Sequence, residues 1–233
     1  MKQNVYNLII IDESGSMYNI CDEAIGGVNE TIQVIMSAQR LHSEQQHFIT
    51  LVTFNDERIH KVMDRLPVDV AKDLSWNDYA PNGLTPLFDA MGQSLNELKG
   101  YVKKEDAVLV TIITDGMENA SREYDGATIK KLVAELRECG WVITYIGTNQ
   151  DVDAVADSIG INNRMSYEYS QEGASDMFET ENECRMAFYG MLEENKASPS
   201  MNSNVDYFGN RQTDDNKTGK KRNLLDKLKR MFN

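Results

Sequence analysis

Apolar residues recur along this chain in two rhythms. Val5 to Ile11 is almost wholly apolar and rich in β-branched residues, the pattern of a strand covered on both faces. Asp22 to Leu41 places Ile25, Val28, Ile32, Ile35 and Met36 at helical spacing. His47 to Phe54 reads as a second strand, and Arg58 to Asp64 pairs with it through Asn55-Asp56-Glu57 as an antiparallel edge. Leu87, Ala90, Met91, Leu95, Leu98 and Val102 mark a helix; Ala107 to Ile113 is again a buried-type strand. Ile129, Leu132, Val133 and Leu136 lie on a helix that Gly140 stops. Trp141 to Ile146 is a strand, Val152 to Ile159 a short helix and Arg164 to Tyr169 a last strand. Met177, Phe178, Cys184, Phe188, Met191 and Leu192 line one side of a final helix. The connection from Arg65 to Leu84 is long for a domain of this kind, which predicts a short helix over Val68 to Leu74. Trp76 and Tyr79 within it either pack or shape a rim that faces a partner.

Strands separated by helical patterns require right-handed crossovers, and hence parallel pairing. The predicted fold is α/β: a doubly wound, mainly parallel six-stranded sheet with one antiparallel edge strand and helices on both faces. This domain occupies residues 1–195. The next stretch, 196–216, is polar and irregular and reads as a linker with too little apolar area to order itself. Residues 217–233 form a basic tail with Leu224, Leu225, Leu228, Met231 and Phe232 on one helical side, which reads equally as a solvated, frayed terminus or as an amphipathic helix for a partner, an anionic membrane surface or the acidic body.

Charge sharpens this division. The chain of 233 residues carries −13, but residues 217–233 hold seven Lys or Arg against one Asp, a net +6, leaving −19 on the rest. So acidic a body argues against nucleic acid as a partner. Cys21, Cys139 and Cys184 are few, odd in number and widely spaced, as buried free thiols in a reducing compartment would be. The first apolar run leads into Asp12 rather than a cleavage site, and no segment approaches 20 apolar residues, so a cytoplasmic location is expected. His42, His47 and His60 read as surface or edge residues, the twelve methionines as packing, and Asp89 as solvated or a cap.

In such sheets ligands gather at the carboxyl ends of strands, where neighbouring loops part. Asp12, Ser14 and Ser16 follow the first strand, Asp115 follows "AVLVTIIT", and Thr85 precedes a helix begun by Pro86. Each alone reads as a cap or turn. Together, two carboxylates and three hydroxyls form a hard oxygen shell that suits Mg²⁺, with Mn²⁺ or Ca²⁺ as substitutes. Gly15 and Gly116 are expected to allow the tight paths beside these ligands. Glu118 and Asn119 are rim candidates, and Asn149, Gln150 and Asp151 border the same face or start a helix.

Asp12-x-Ser14-x-Ser16, Thr85 and Thr114-Asp115-Gly116 resemble the metal-ion-dependent adhesion site of the von Willebrand factor type A (vWA) family, over roughly Val5 to Glu194. The resemblance implies that Ser14, Ser16 and Thr85 are hydroxyl ligands, Thr85 either direct or water-bridged, and that Asp12 and Asp115 act largely through water. It also implies binding rather than turnover: a protein partner supplies an Asp or Glu carboxylate to the ion. The rivals are a metal-dependent phosphohydrolase, for which only Glu13 or Glu118 would serve as base, and a scaffold subunit of an ATPase or stress-resistance complex. Phosphate-binding glycine motifs are absent from the sequence.

Overall fold

Strands that are apolar on both faces need covering on both, and the chain does so by alternating strand and helix. The computed structural model describes residues 2–194 and 205–209; the expectations for the basic tail and most of the linker lie outside them. Six strands, β1 (Gln3–Asp12), β2 (Gln45–Phe54), β3 (Ile59–Pro67), β4 (Ala107–Thr114), β5 (Val142–Gly147) and β6 (Asn163–Ser166), form one sheet in the order β3-β2-β1-β4-β5-β6. All neighbours are parallel except β3, antiparallel to β2 at the edge. The helices are α1 (Cys21–Leu41), α2 (Leu87–Lys99), α3 (Gly126–Glu138), α4 (Val152–Ser158) and α5 (Gln171–Glu194). Successive strand residues point to opposite faces, so Val5, Ile9 and Ile11 enter one core with α1 and α5, and Leu8 and Ile10 another with α2, α3 and α4. The doubly wound α/β fold expected from the sequence is the one observed.

Several local expectations change. The helix foreseen over Val68 to Leu74 is a single 3₁₀ turn, Val68–Val70, because Ala71 is extended and Asn29 Oδ1 takes the Leu74 N–H at 2.7 Å. The last strand ends at Ser166, after which the backbone turns through Ser170 N–H to Glu168 O. Cys21 and Cys184 are buried as expected, but Cys139 caps α3 and is exposed. Within the stretch read as linker, Tyr207 and Phe208 are buried against α5, and Tyr207 Oη donates to Glu181 Oε1 at 3.0 Å. Two aromatics suffice to anchor a segment whose average composition is polar.

Polar residues on the α5 side of the sheet are matched with one another. Arg185 is fully buried and donates to Glu181 (2.7 and 3.1 Å), Thr111 Oγ1 (2.8 Å), Asn7 Oδ1 (3.3 Å) and Tyr189 Oη (3.2 Å). Asn7 and Thr111 stand at apolar positions of the alternation because this guanidinium needs acceptors there. Where α1 crosses α5, a Cβ on Gly27 would lie 2.1 Å from the Phe178 ring. Gly27→Val is therefore expected to lose about 1–3 kcal/mol by overpacking, read as a lower melting temperature. An unchanged melting curve would mean that the two helices approach less closely.

His42 and His47 depart from the surface reading: both are buried. His47 lies edge-on to Tyr189, its Nε2 is 2.9 Å from Gln45 Oε1, and its Nδ1 has no partner. Burial, then the nearby His42 and Arg185 charges, push its pKa down to about 3. Above the ordinary value of 6.5 both folded and unfolded chains hold it neutral. Below 6.5 only the unfolded chain gains the proton, so stability falls by about 1.4 kcal/mol per pH unit. His47→Gln should remove this component, and urea midpoints of parent and variant should converge on acidification relative to their separation at pH 7. Parallel pH profiles would refute it.

Candidate functional site

Chain direction reverses beside β1: the first crossover leads to β2 on one side, and later connections place β4 on the other. The loops after β1 and β4 thus part at the carboxyl edge of the sheet. Asp12 is the last residue of β1, and Asp115 follows the last residue of β4. Gly15–Ile20 continues from β1 as a 3₁₀ turn, which brings Ser14 and Ser16 to the same point. Ser14 Oγ and Ser16 Oγ are 2.9 Å apart, and Ser16 Oγ donates to Asp115 Oδ1 at 2.6 Å. Asp12 Oδ1 takes the Ser14 N–H at 2.7 Å, and its Oδ2 takes the Thr114 hydroxyl at 2.6 Å.

Thr85 comes from the long β3–α2 connection, just ahead of α2. Two bonds place it: Asn119 Oδ1 accepts from Thr85 N at 2.9 Å, and Asn119 N donates to Thr85 O at 3.2 Å. The Cβ position of Gly116 lies 3.2 Å from Thr85 Oγ1, 3.7 Å from Ser16 Oγ and 4.0 Å from Asp12 Oδ2. Oxygens of three separate loops therefore converge on one small volume, which the absent Gly116 side chain leaves open. The tight turn, by contrast, belongs to Gly83 rather than Gly15: Gly83 has φ +74°, and a Cβ there would strike Asp56 Oδ1.

The electrostatics are lopsided. Asp12, Asp115 and Ser14 are buried, and Asp115 Oδ2 has no hydrogen-bond partner. Burial pushes the Asp12 pKa up to about 7 against the opposing bonds from Thr114 and Ser14, and burial also raises Asp115. The third acid here, Glu13, has its charge paired: Oε1 takes Arg58 Nη2 and Ala80 N, both at 2.8 Å, while its buried Oε2 has no partner. Two carboxylates are thus left facing hydroxyls, a donor set of hard oxygens that fits a divalent cation. Asp12, Ser14, Ser16, Thr85 and Asp115 are the residues that could hold it. Among the described residues, no group of three or more His, Cys, Asp or Glu is placed to bind a metal, so hydroxyls must make up any such shell.

Supporting residues went unread in the sequence. Tyr79, a rim candidate, is buried, and its Oη donates to Asp12 O at 2.5 Å; Tyr169 Oη donates to Ser16 O. Glu118 faces inward, accepting from Phe88 N (2.9 Å), Ala120 N (2.9 Å) and Ser121 N (2.7 Å). Asp89 is buried and accepts from the backbone N–H groups of Arg122, Glu123 and Tyr124. These acids fasten the Asp115 loop to the start of α2. The role of the buried Asp89 has no local sequence signal, since its donors lie some 30 residues away. Asp151 caps α4 through Ala154 N, the helix-start reading of that residue.

With this geometry in place, comparison with solved structures identifies the architecture. The vWA domain of SpRpn10 superposes with a TM-score of 0.55 at 17% identity, covering 76% of this chain and 94% of that one. A von Willebrand factor type A protein from Catenulispora acidiphila gives 0.52 at 14% identity, over 85% of this chain and 43% of that one. The fold is a vWA fold. A variant of the PilB minor pilin from Streptococcus sanguinis gives 0.57 at 13% identity, over 85% of this chain and 64% of that one. This chain therefore spans less than two thirds of the pilin. No sequence-family model and no curated protein matches the chain. Among the described residues of this vWA fold, no helix is long and apolar enough to cross a membrane.

Proposed function

We propose that this vWA fold serves as a metal-dependent protein-interaction module, not an enzyme. Asp12, Ser14, Ser16, Thr85 and Asp115 would hold Mg²⁺, with Mn²⁺ or Ca²⁺ as substitutes, and the partner would contribute an Asp or Glu side chain. The observation that carries this reading is the buried Asp115 Oδ2, an acceptor without a donor amid converging oxygens. A bound divalent cation supplies charge balance for the two carboxylates and an electrophilic position for a third. The residues themselves orient: Thr114 and the Ser14 N–H fix Asp12, while Ser16 fixes Asp115.

The phosphohydrolase alternative needs a base. Glu118 is held by three backbone N–H groups, and Glu13 takes Arg58 and Ala80 N through Oε1 alone, so the partnerless, buried Glu13 Oε2 would have to serve as that base. A scaffold role in a larger assembly uses the same binding surface and is compatible with this proposal.

Titration calorimetry with Mg²⁺ and Mn²⁺ tests the reading directly. The parent chain is expected to bind both, and Thr85→Ala to bind more weakly by about 10-fold at unchanged melting temperature without metal. The absence of heat from either ion would reject the metal centre.

A further inference from the structure

Two tyrosines beside the candidate oxygens have a visible task. Tyr79 Oη donates to Asp12 O at 2.5 Å and Tyr169 Oη to Ser16 O, so both brace the loop after β1 through its backbone. A third, Tyr167, differs from them. Its hydroxyl oxygen is shielded from solvent and has no hydrogen-bond partner among the described residues. A phenylalanine would fill the same space without burying an unbonded oxygen, so packing alone does not account for a tyrosine here.

Strand register places Tyr167 beside the site. Thr114 pairs with Gly147 and Gly147 with Ser166, so Asp115 and Tyr167 each lie one residue beyond the same row of the sheet. The Tyr167 N–H donates to Gly147 O at 3.1 Å, which continues the pairing past the end of β6. Ile113 and Met165, two residues earlier in each case, enter the core shared with α1 and α5, and Tyr167 packs against that same core. Alternation therefore brings Asp115 and Tyr167 to one face of the sheet, with backbones two strand spacings, about 10 Å, apart. A phenol spans most of such a gap, as Tyr169 does in reaching Ser16 from the same segment. The electrostatics agree: burial raises the Tyr167 pKa, and the Asp115 carboxylate, followed by Asp12, raises it further. The hydroxyl is thus neutral at ordinary pH and adds an oxygen to the site without adding a third negative charge.

Asp115 Oδ2 and Tyr167 Oη are therefore two buried oxygens on one face, each without a partner and not bonded to each other. Both can accept a hydrogen bond. A Mg²⁺ ion with few protein ligands retains waters, and each such water has two protons to place. We infer that Tyr167 is a further residue of the cation site, a positioning residue that fixes, together with Asp115, a water retained by the ion. The inference rests on the metal reading above. It assigns the unbonded hydroxyl a partner that is present only when the site is loaded, so Tyr167 contributes to ion affinity and not to the stability of the metal-free fold.

Mg²⁺ calorimetry and thermal melts in EDTA on the full parent chain and its Tyr167→Phe variant test this. The variant's Mg²⁺ affinity is expected to fall by about 10-fold. Its melting temperature in EDTA should be no lower than the parent's, because the hydroxyl removed makes no bond in the metal-free chain. Uniform labelling with 3-fluorotyrosine supplies a direct signal: the ¹⁹F resonance that Tyr167→Phe deletes should shift as Mg²⁺ is added to the parent. Equal Mg²⁺ affinities for parent and variant would overturn the inference, as would a Tyr167 resonance that stays in place while the parent binds the ion. A weaker affinity accompanied by a lower melting temperature in EDTA would make Tyr167 a packing residue and overturn it as well. The failures are distinguishable: heat from the parent with an unaffected variant rejects the role of Tyr167 alone, whereas no heat from the parent rejects the metal centre and that role with it.

Discussion

Asp12→Asn protein is expected to melt above the parent in EDTA at pH 8, yet to lose about 100-fold in affinity for Mg²⁺. The first effect comes from burying a carboxylate without a counter-charge. Its pKa stands at about 7 in the folded chain against an ordinary 3.8, mainly through desolvation. A raised acid pKa favours folding at low pH, and that advantage is lost as pH climbs from 3.8 to about 7. Above pH 7 the ionised group costs the metal-free fold on the order of 4 kcal/mol. Asparagine avoids this cost and keeps the local bonds. Its Oδ1 can accept from Ser14 N as Asp12 does, and its amide can donate to Thr114 Oγ1, whose hydroxyl can turn to Gly116 O at 3.1 Å. The second effect follows from removing one of two anionic groups at the cation position. Thermal melts with and without Mg²⁺ check both at once: the ion should raise the parent's midpoint and leave the variant's in place. A variant that melts lower in EDTA would contradict the account of Asp12 as a strained, function-directed charge.

Arg185→Met should destabilise the fold by about 3–5 kcal/mol, the largest single loss expected from α5. The change leaves Glu181 buried and unpaired and removes donors from Asn7, Thr111 and Tyr189. Tyr207 remains bonded to Glu181, but one neutral hydroxyl cannot replace a guanidinium. Adding Glu181→Leu to Arg185→Met should restore part of the loss, since an absent ion pair costs less than half of one. Urea midpoints of the parent, both singles and the double form the cycle that measures the coupling. A loss below about 1 kcal/mol for Arg185→Met would mean that the guanidinium reaches solvent.

Much of the architecture was legible because period and residue type carry it locally. The run Leu8 to Ile11 and the strand Ala107–Thr114 are apolar at every or nearly every position, a pattern open only to strands covered on both faces. The candidate oxygens were legible for a related reason. Asp12 ends one such strand with Ser14 and Ser16 just beyond it, Asp115 follows another, and ligand positions in doubly wound sheets are tied to strand ends. Residues that hold the site in place were not legible. Tyr79, Glu118 and Asn119 look like loop polar residues in sequence, and only their distant partners, Asp12 O, Phe88 N and Thr85 N, reveal what they fasten.

Arg185 and Glu181 show the same limit on the core. Spaced four apart on a helix, they read as an exposed ion pair, and only the positions of Asn7 and Thr111 across the sheet turn them inward. Tyr207 and Phe208 likewise sit in polar surroundings along the chain and in aromatic ones in space. What the sequence determined by itself was the alternation of strands and helices, the two-faced core and the oxygen-bearing strand ends, because these depend on neighbours within a few residues. Tertiary structure alone decided which buried charges are matched, which acids serve the backbone, and that Thr85 meets Ser16 and Asp12 around Gly116. Those outcomes depend on desolvation and on partners about 30 to 180 residues away, which no local pattern encodes.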